Sequence, residues 1–473
     1  IVHSLNTSST PDKLAEDEKL DLATLEVTPD VTEDGAKKAQ RKAKKKSKKP
    51  TGIGKRIEKY TRGETKKLAT TEVKSKSLKR EIKRSTTNNR VASETAARAE
   101  VLLPSDAGGL EVGDMEKTWR LVQNDIKANT DERSAKKIFD LNLSMGPYSM
   151  DYTRNGRHLL LGGRKGHISL MDWSSFRLTT EFHVNETIRD VRFLHNETMF
   201  AVAQKKYVYI YDNQGVELHC LRKHIEVNRL DFLPYHFLLV TVGKPGYLKY
   251  QDTSTGQLVV EHRTKLGECK VMAQNPRNAI MCLGHANGEV TMWSPNMTTP
   301  VVRMLTHRGP VQAVGVDIGG NYMATSGLDG KINIWDLRKY SQVNSYFTVR
   351  PATTLAISDM GMLALGYGPH VQVWKDALST AKQQSPFMVQ EFSGREVSRL
   401  RFCPFEDVLG VCHTAGYSNL VIPGAGEPNF DTFEANPYQT RRQRREDVVV
   451  KVLEKLKPEM ITLDPEIFGM MDK

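Results

Sequence analysis

The chain predicts an all-β fold, a ring of seven repeated blades, and three observations carry that prediction. Short strand-like segments end at a near-constant beat: Ile168–Asp172, Val208–Asp212, Leu248–Asp252, Val290–Ser294, Ile332–Asp336 and Val371–Lys375. Their last residues fall 40, 40, 42, 42 and 39 apart, and a weaker seventh copy, Ser418–Ile422, follows after 47. Several of these segments close on Trp-Asp-like pairs, and a period of about 40–45 residues with that ending marks the β-propeller blade. Turn pairs stand between strands, at Asn155-Gly156, Lys165-Gly166, Asn287-Gly288 and Asp329-Gly330, where tight hairpins need them. The fold class is therefore a seven-bladed WD-repeat β-propeller with non-repeating extensions at both ends.

Charge divides the chain before the ring begins. Residues 1–36 hold 2 basic and 9 acidic side chains and read as an acidic disordered tail. Residues 37–90 hold 22 basic and 4 acidic side chains. With Tyr60 as their one aromatic, they offer too little apolar surface to offset the entropy of ordering, and read as a basic disordered arm. The total net charge is +12, so residues 91–473 are close to neutral. Residues 91–138 read as a helical lead-in, with helix from Glu94 and again from Met115 to Lys127. There Trp119, Val122 and Ile126 form one stripe at helical spacing.

The ring is assigned to residues 139–423. Within it Val311–Val316 alternates, Gly319-Gly320 turns, and Tyr322–Ser326 forms the next strand. Residues 424–473 form a C-terminal extension. It opens Gly/Pro-rich and then reads as a helix over about 441–457, stopped by Pro458. Val448, Val449, Val452, Leu453 and Leu456 line one face of that helix, a face that must bury against the propeller or against another protein.

The cysteines Cys220, Cys269, Cys282, Cys403 and Cys412 contain no Cys-x-x-Cys pair. Neither a disulfide framework nor a structural zinc site is expected, and the usage fits the cytosol or nucleus. No apolar run approaches the ~18 residues of a membrane span. No cofactor, metal, membrane or small-molecule substrate is expected.

His307, Ser326, Asp329 and Trp335 stand at the positions where WD repeats tie a blade together. The carboxylate accepts from the imidazole, the hydroxyl bridges, and the indole N–H donates. A Ser-His-Asp hydrolase reading lacks the Gly-x-Ser-x-Gly elbow, so no catalytic residue is assigned. His183 and His224 are read as blade-closing too, while Met171, Tyr211 and Gln251 replace the Trp in three blades, which should rely more on packing. Gly162–Gly166 lacks phosphate-loop spacing and is a hairpin, whose Arg164 and Lys165 could still meet a phosphate backbone.

The candidate RNA-binding residues are Lys37, Lys38, Arg41, Lys42, Lys44, Lys45, Lys46, Lys48 and Lys49, followed by Lys55 and Arg56. Charge neutralisation with counterion release is their natural chemistry, and the lack of interleaved aromatics argues for readout of backbone and shape. Lys44–Lys49 also reads as a nuclear import signal.

Several stretches are more distinctive than a generic repeat. They are Gly163–His167, Phe200–Tyr207, Leu230–His236, Met272–Pro276 and Pro404–Asp407, with Leu420–Asn429 and Ile461–Pro465 after the ring. Over about residues 100–465 the chain resembles the nucleolar WD-repeat family of the small-subunit processome, which carries a characteristic C-terminal extension. The resemblance implies a non-enzymatic scaffold in the nucleolus, needed for pre-rRNA processing and 18S rRNA maturation. Its implied partners are other processome proteins, pre-rRNA and a box C/D small nucleolar RNA. The competing reading is a nuclear WD-repeat adaptor for a ubiquitin ligase or a chromatin complex.

Overall fold

The computed structural model describes residues 57, 59–61, 73–99, 106–110, 116–130 and 132–465. The chain divides at Leu103 into two compact units. The candidate residues Lys37 to Arg56 lie outside the described residues.

In the first unit the described residues form a 24-residue helix, Lys76–Ala99. The expected helix onset at Glu94 is eighteen residues too late. The Ser/Thr/Asn-rich middle is accommodated because its hydroxyls fold back on the helix. Thr86 and Thr87 both donate to Lys83 O, at 2.8 and 2.9 Å, and Ser93 donates to Arg90 O at 2.8 Å.

The second unit holds the ring, seven four-stranded antiparallel sheets. We letter the strands of each blade a to d from the channel outward. The segments that set the beat are all c strands, for example His167–Asp172, Lys331–Asp336 and Gly416–Val421. The b strands are sandwiched between neighbouring blades and buried on both faces, so His158–Gly163, Leu238–Gly243 and Val408–His413 are buried at every residue. The outer d strands alternate or lie exposed, as Arg177–His183 does.

Blade 7 takes its outer strand from before the ring. Asp140–Asn142 pairs antiparallel with Gly416–Ser418, which closes the circle and leaves only short outer edges. The lead-in is stitched to the same blade. Gln123 is buried, donates from Nε2 to Val421 O at 3.1 Å and accepts from Val421 N at 2.9 Å, so its amide acts as one more strand residue.

This corrects the predicted stripe. Thr118–Arg120 is a 3-10 turn, the helix runs only Gln123–Asn129, and Val122 is its 51% exposed N-cap. Gln123 and Ile126 are the buried pair, because completing strand hydrogen bonds outweighs burial of Val122.

Each b–c hairpin meets the d–a turn leading to the next blade. Gly166 and Gly288 have φ of +102° and +87°, and a Cβ there would stand 1.9 and 2.1 Å from the carbonyls of Val184 and His307. Only glycine permits that approach.

Candidate interaction site: one strapped face and a charged channel

The polar tie in blade 5 runs Trp335 to Thr325 to His307 to Asp329. Trp335 Nε1 donates to Thr325 Oγ1 at 3.1 Å, Thr325 Oγ1 lies 3.0 Å from His307 Nε2, and His307 Nδ1 lies 3.2 Å from Asp329. Ser326 is not the bridging hydroxyl: its Oγ donates to Ala352 O at 2.9 Å, across to the next blade. One step along a strand reverses the face a side chain occupies. Burial pushes the His307 imidazole below its ordinary value, against the pull of Asp329. A neutral ring, Nδ1–H to the carboxylate and Nε2 accepting, satisfies every member.

Blade 4 repeats the tie through Thr291, which accepts from Trp293 Nε1 at 2.8 Å and meets His285 Nε2 at 2.6 Å. Two of the blades lacking Trp keep a polar tie. Gln251 Oε1 replaces the indole in blade 3, 2.5 Å from His224 Nε2, and Tyr211 accepts from Gln204 Nε2 at 2.7 Å in blade 2. His224 is buried, and burial pushes it down to about 4. His183, by contrast, is exposed at the end of a d strand, and His167, buried in the c strand of blade 1, lies 3.1 Å from Tyr148 OH.

The channel is charged on one side. Asp151 accepts from Arg192 at 3.1 Å, Arg401 at 2.6 Å and Phe193 N at 2.8 Å, and Arg192 also reaches Asp231 at 2.6 Å. These groups come from the a strands of blades 7, 1, 2 and 3. Burial raises the Asp151 carboxyl to about 6, against the attraction of Arg192. Across the channel, blades 5 and 6 present Val314, Leu355 and Ile357, and the space between is about 310 Å³.

The C-terminal extension is a strap over the face formed by the a–b and c–d loops. It leaves blade 7 with Gly426 N donating to Asp407 at 2.8 Å and Phe430 against Phe405, ring centres 6.1 Å apart. Next, Glu434 accepts from both Arg154 of blade 1 and Tyr235 of blade 3. Arg444 then pairs with Glu197 of blade 2, and Lys455 with Asp252 of blade 3. Leu456 N donates to Tyr235 O at 3.0 Å. On blade 4, Ser294 Oγ donates to Ile461 O at 2.6 Å and Asn278 to Leu463 O at 3.2 Å, while Ile461 is 1% exposed. A cavity of about 570 Å³ remains beneath the strap at the channel mouth, lined by Arg192, Tyr235, Arg401 and Glu434 among others.

The strap helix spans Arg441–Leu453, with Thr440 accepting from Gln443 N as its cap. It ends four residues before the predicted limit, because Lys455 and Leu456 are drawn onto blade 3. Its orientation is the reverse of what an apolar stripe implies. The side carrying Arg444, Val448 and Lys451 faces the ring, so Val448 alone of the predicted stripe turns inward. Val449, Val452, Leu453 and Leu456 are 58, 41, 81 and 39% exposed.

Comparison with known proteins bears on this segment directly. Residues 386–464 match the model of the BING4CT (NUC141) domain, and residues 298–336 the WD domain, G-beta repeat. The first match begins beside the outer strand of blade 6 and ends at the last strap residues, so it covers the three inner strands of blade 7 and the strap together. The chain is 46% identical over 435 residues to U3 small nucleolar RNA-associated protein 7 of Saccharomyces cerevisiae, covering 88% of this chain and 78% of that protein.

The chain belongs to this family.

It is 48% identical over 381 residues to WD repeat-containing protein 46 of Homo sapiens and 45% over 376 residues to that of Caenorhabditis elegans. These matches take 80 and 79% of this chain but 62 and 64% of the relatives, so the chain spans less than two thirds of their length. The family is one of non-enzymatic WD-repeat propellers.

Proposed function

We propose that the chain is a nucleolar scaffold of the small-subunit processome, needed for pre-rRNA processing and 18S rRNA maturation. It holds protein partners on the strapped propeller and contacts pre-rRNA and a box C/D small nucleolar RNA through basic extensions. The observation that carries this reading is the strap, a family-specific segment clamped across blades 7 to 4, in a chain whose yeast relative is named for association with U3 small nucleolar RNA. A strap locked by its charged side leaves an apolar stripe facing outward, the geometry of a surface that docks another protein helix. Lys37 to Lys49, with Lys55 and Arg56, supply the counterion-releasing charge for RNA.

The test is immunoprecipitation of the tagged full chain from nuclear extract, with RNA measured in the pellet. U3 small nucleolar RNA and pre-rRNA enriched over a spliceosomal RNA control support the reading. Equal recovery of all three overturns it.

A further inference from the structure

The ring face opposite the strap is formed by the b–c and d–a loops, and over blades 1 to 4 these loops collect basic side chains. The b–c tips supply Arg164 and Lys165 in blade 1, Lys205 and Lys206 in blade 2, and Lys244 in blade 3, all exposed. The turns between blades add Arg222, Lys223 and Lys265, also exposed. Among the described residues none of these eight is in an ion pair, unlike Lys249 with Glu261 and Arg303 with Glu289 on the blade flanks nearby. The same loops hold three carboxylates, Glu186, Glu226 and Glu268, each half-buried. Over blades 5 to 7 the face changes character: Arg308, Arg350 and Arg395 stand against Asp329 and Glu396.

We infer that this basic crescent is a second RNA surface, which binds the phosphate backbone along a path from blade 1 to blade 4. The charges recur blade by blade, on loops about forty residues apart in sequence, so the matching ligand is a polyanion with repeated charge and not a single small anion. The side chains are long, exposed and unpaired, so they neutralise phosphates without first breaking an ion pair within the protein. All eight are Lys or Arg, which position a backbone and carry little sequence readout. The inference rests on the reading of the chain as an RNA-associated scaffold, but it is separate from the arm.

The test uses the full chain and labelled oligouridine, titrated across a salt series. One variant carries Arg164→Gln, Lys165→Gln, Lys205→Gln and Lys206→Gln; a second carries Gln at the six positions Lys42, Lys44, Lys45, Lys46, Lys48 and Lys49; a third combines both. The face variant should melt like the parent and bind roughly tenfold more weakly at low salt, with the salt slope reduced by about 0.7 for each phosphate it no longer neutralises. The weakening should persist in the arm-neutralised background. Unchanged affinity and slope in both backgrounds overturn the inference. So does a face variant that keeps oligouridine but loses polyglutamate, which would assign the crescent to an acidic protein segment. Failure of the parent chain to bind oligouridine removes the RNA role of arm and face together, whereas weakening confined to the arm variant removes the face alone.

Discussion

The two loop faces of one ring have opposite fates. On the a–b side the chain covers itself: Arg154, Glu197, Tyr235 and Asp252 are each taken up by a strap residue. On the b–c side Arg164, Lys165, Lys205 and Lys206 stand exposed and without ion pairs among the described residues. The strands that join the two faces are the same strands, so the difference lies wholly in loop chemistry. Loop residues on the a–b side find complementary partners on the chain's own strap, Arg154 and Tyr235 on Glu434, Glu197 on Arg444 and Asp252 on Lys455; the basic loop residues of the b–c side are left for something else. A rigid ring lets one molecule be closed on one side and open on the other.

The harshest way to break this contrast is to break the wall both faces share. Arg192 bridges Asp151 and Asp231 within the channel, where both carboxylates are buried and the guanidinium is half-buried. Arg192→Met leaves two carboxylates with reduced compensation and should cost about 3–5 kcal/mol, read as a fall in the urea midpoint. A smaller cost with Asp151 still ionised would show that Arg401 suffices. The next effect is local to the strapped face. Ile461 is buried against blade 4, and Ile461→Ala should cost about 2–5 kcal/mol of strap attachment. Hydrogen exchange should accelerate over residues 456–463 and leave the b strands unchanged; uniform acceleration would mean that strap and ring unfold together.

The open face has its own internal bracing, and one substitution pair sharpens how it is held. Thr325→Val removes the hydroxyl that serves both Trp335 and His307, leaving buried polar atoms unpaired, and should cost about 1–3 kcal/mol. Ser326→Ala removes one bond to the Ala352 carbonyl and should cost about 1 kcal/mol. Thermal melts of the two variants decide the order, and a larger destabilisation at Ser326 would refute the assignment of Thr325 as the bridge.

Those adjacent residues also show where the sequence is legible. The c-strand beat is readable because most c strands end in an aromatic or polar pair before a turn at a near-constant spacing, and His307, Asp329 and Trp335 are readable because they hold repeat positions. Thr325 against Ser326 is not, since a strand's face depends on register, which the repeat gives only to within a residue. The strap helix defeats periodicity differently. An apolar stripe predicts burial, but Arg444 and Lys455 find carboxylates on blades 2 and 3, and those partners lie 247 and 203 residues away. The basic crescent escapes notice for a related reason. Pairs such as Arg164-Lys165 and Lys205-Lys206 look ordinary in a near-neutral ring, and only the fold sets them side by side.

The gentlest probe separates the faces by pH. Hydrogen bonds from Lys455 and Ser254 hold the Asp252 carboxyl below its usual range although desolvation pulls the other way. Glu197 is likewise lowered, against desolvation, by its own backbone N–H and by Arg444. A depressed carboxyl contributes its stability above the unfolded pKa, near 4, and loses it as pH falls through the folded value. The basic side chains of the open face take no part in these pairs. Acidification below about pH 4 should therefore loosen the strap by about 1 kcal/mol or less per pair. The readout is the protection factor of the Leu456 amide, corrected for intrinsic exchange, because that N–H is tied to Tyr235 O. A variant with Asp252→Asn and Glu197→Gln should start with lower protection at neutral pH and lack the acid step. An acid step of undiminished size in that variant would place the strap's pH sensitivity on other groups.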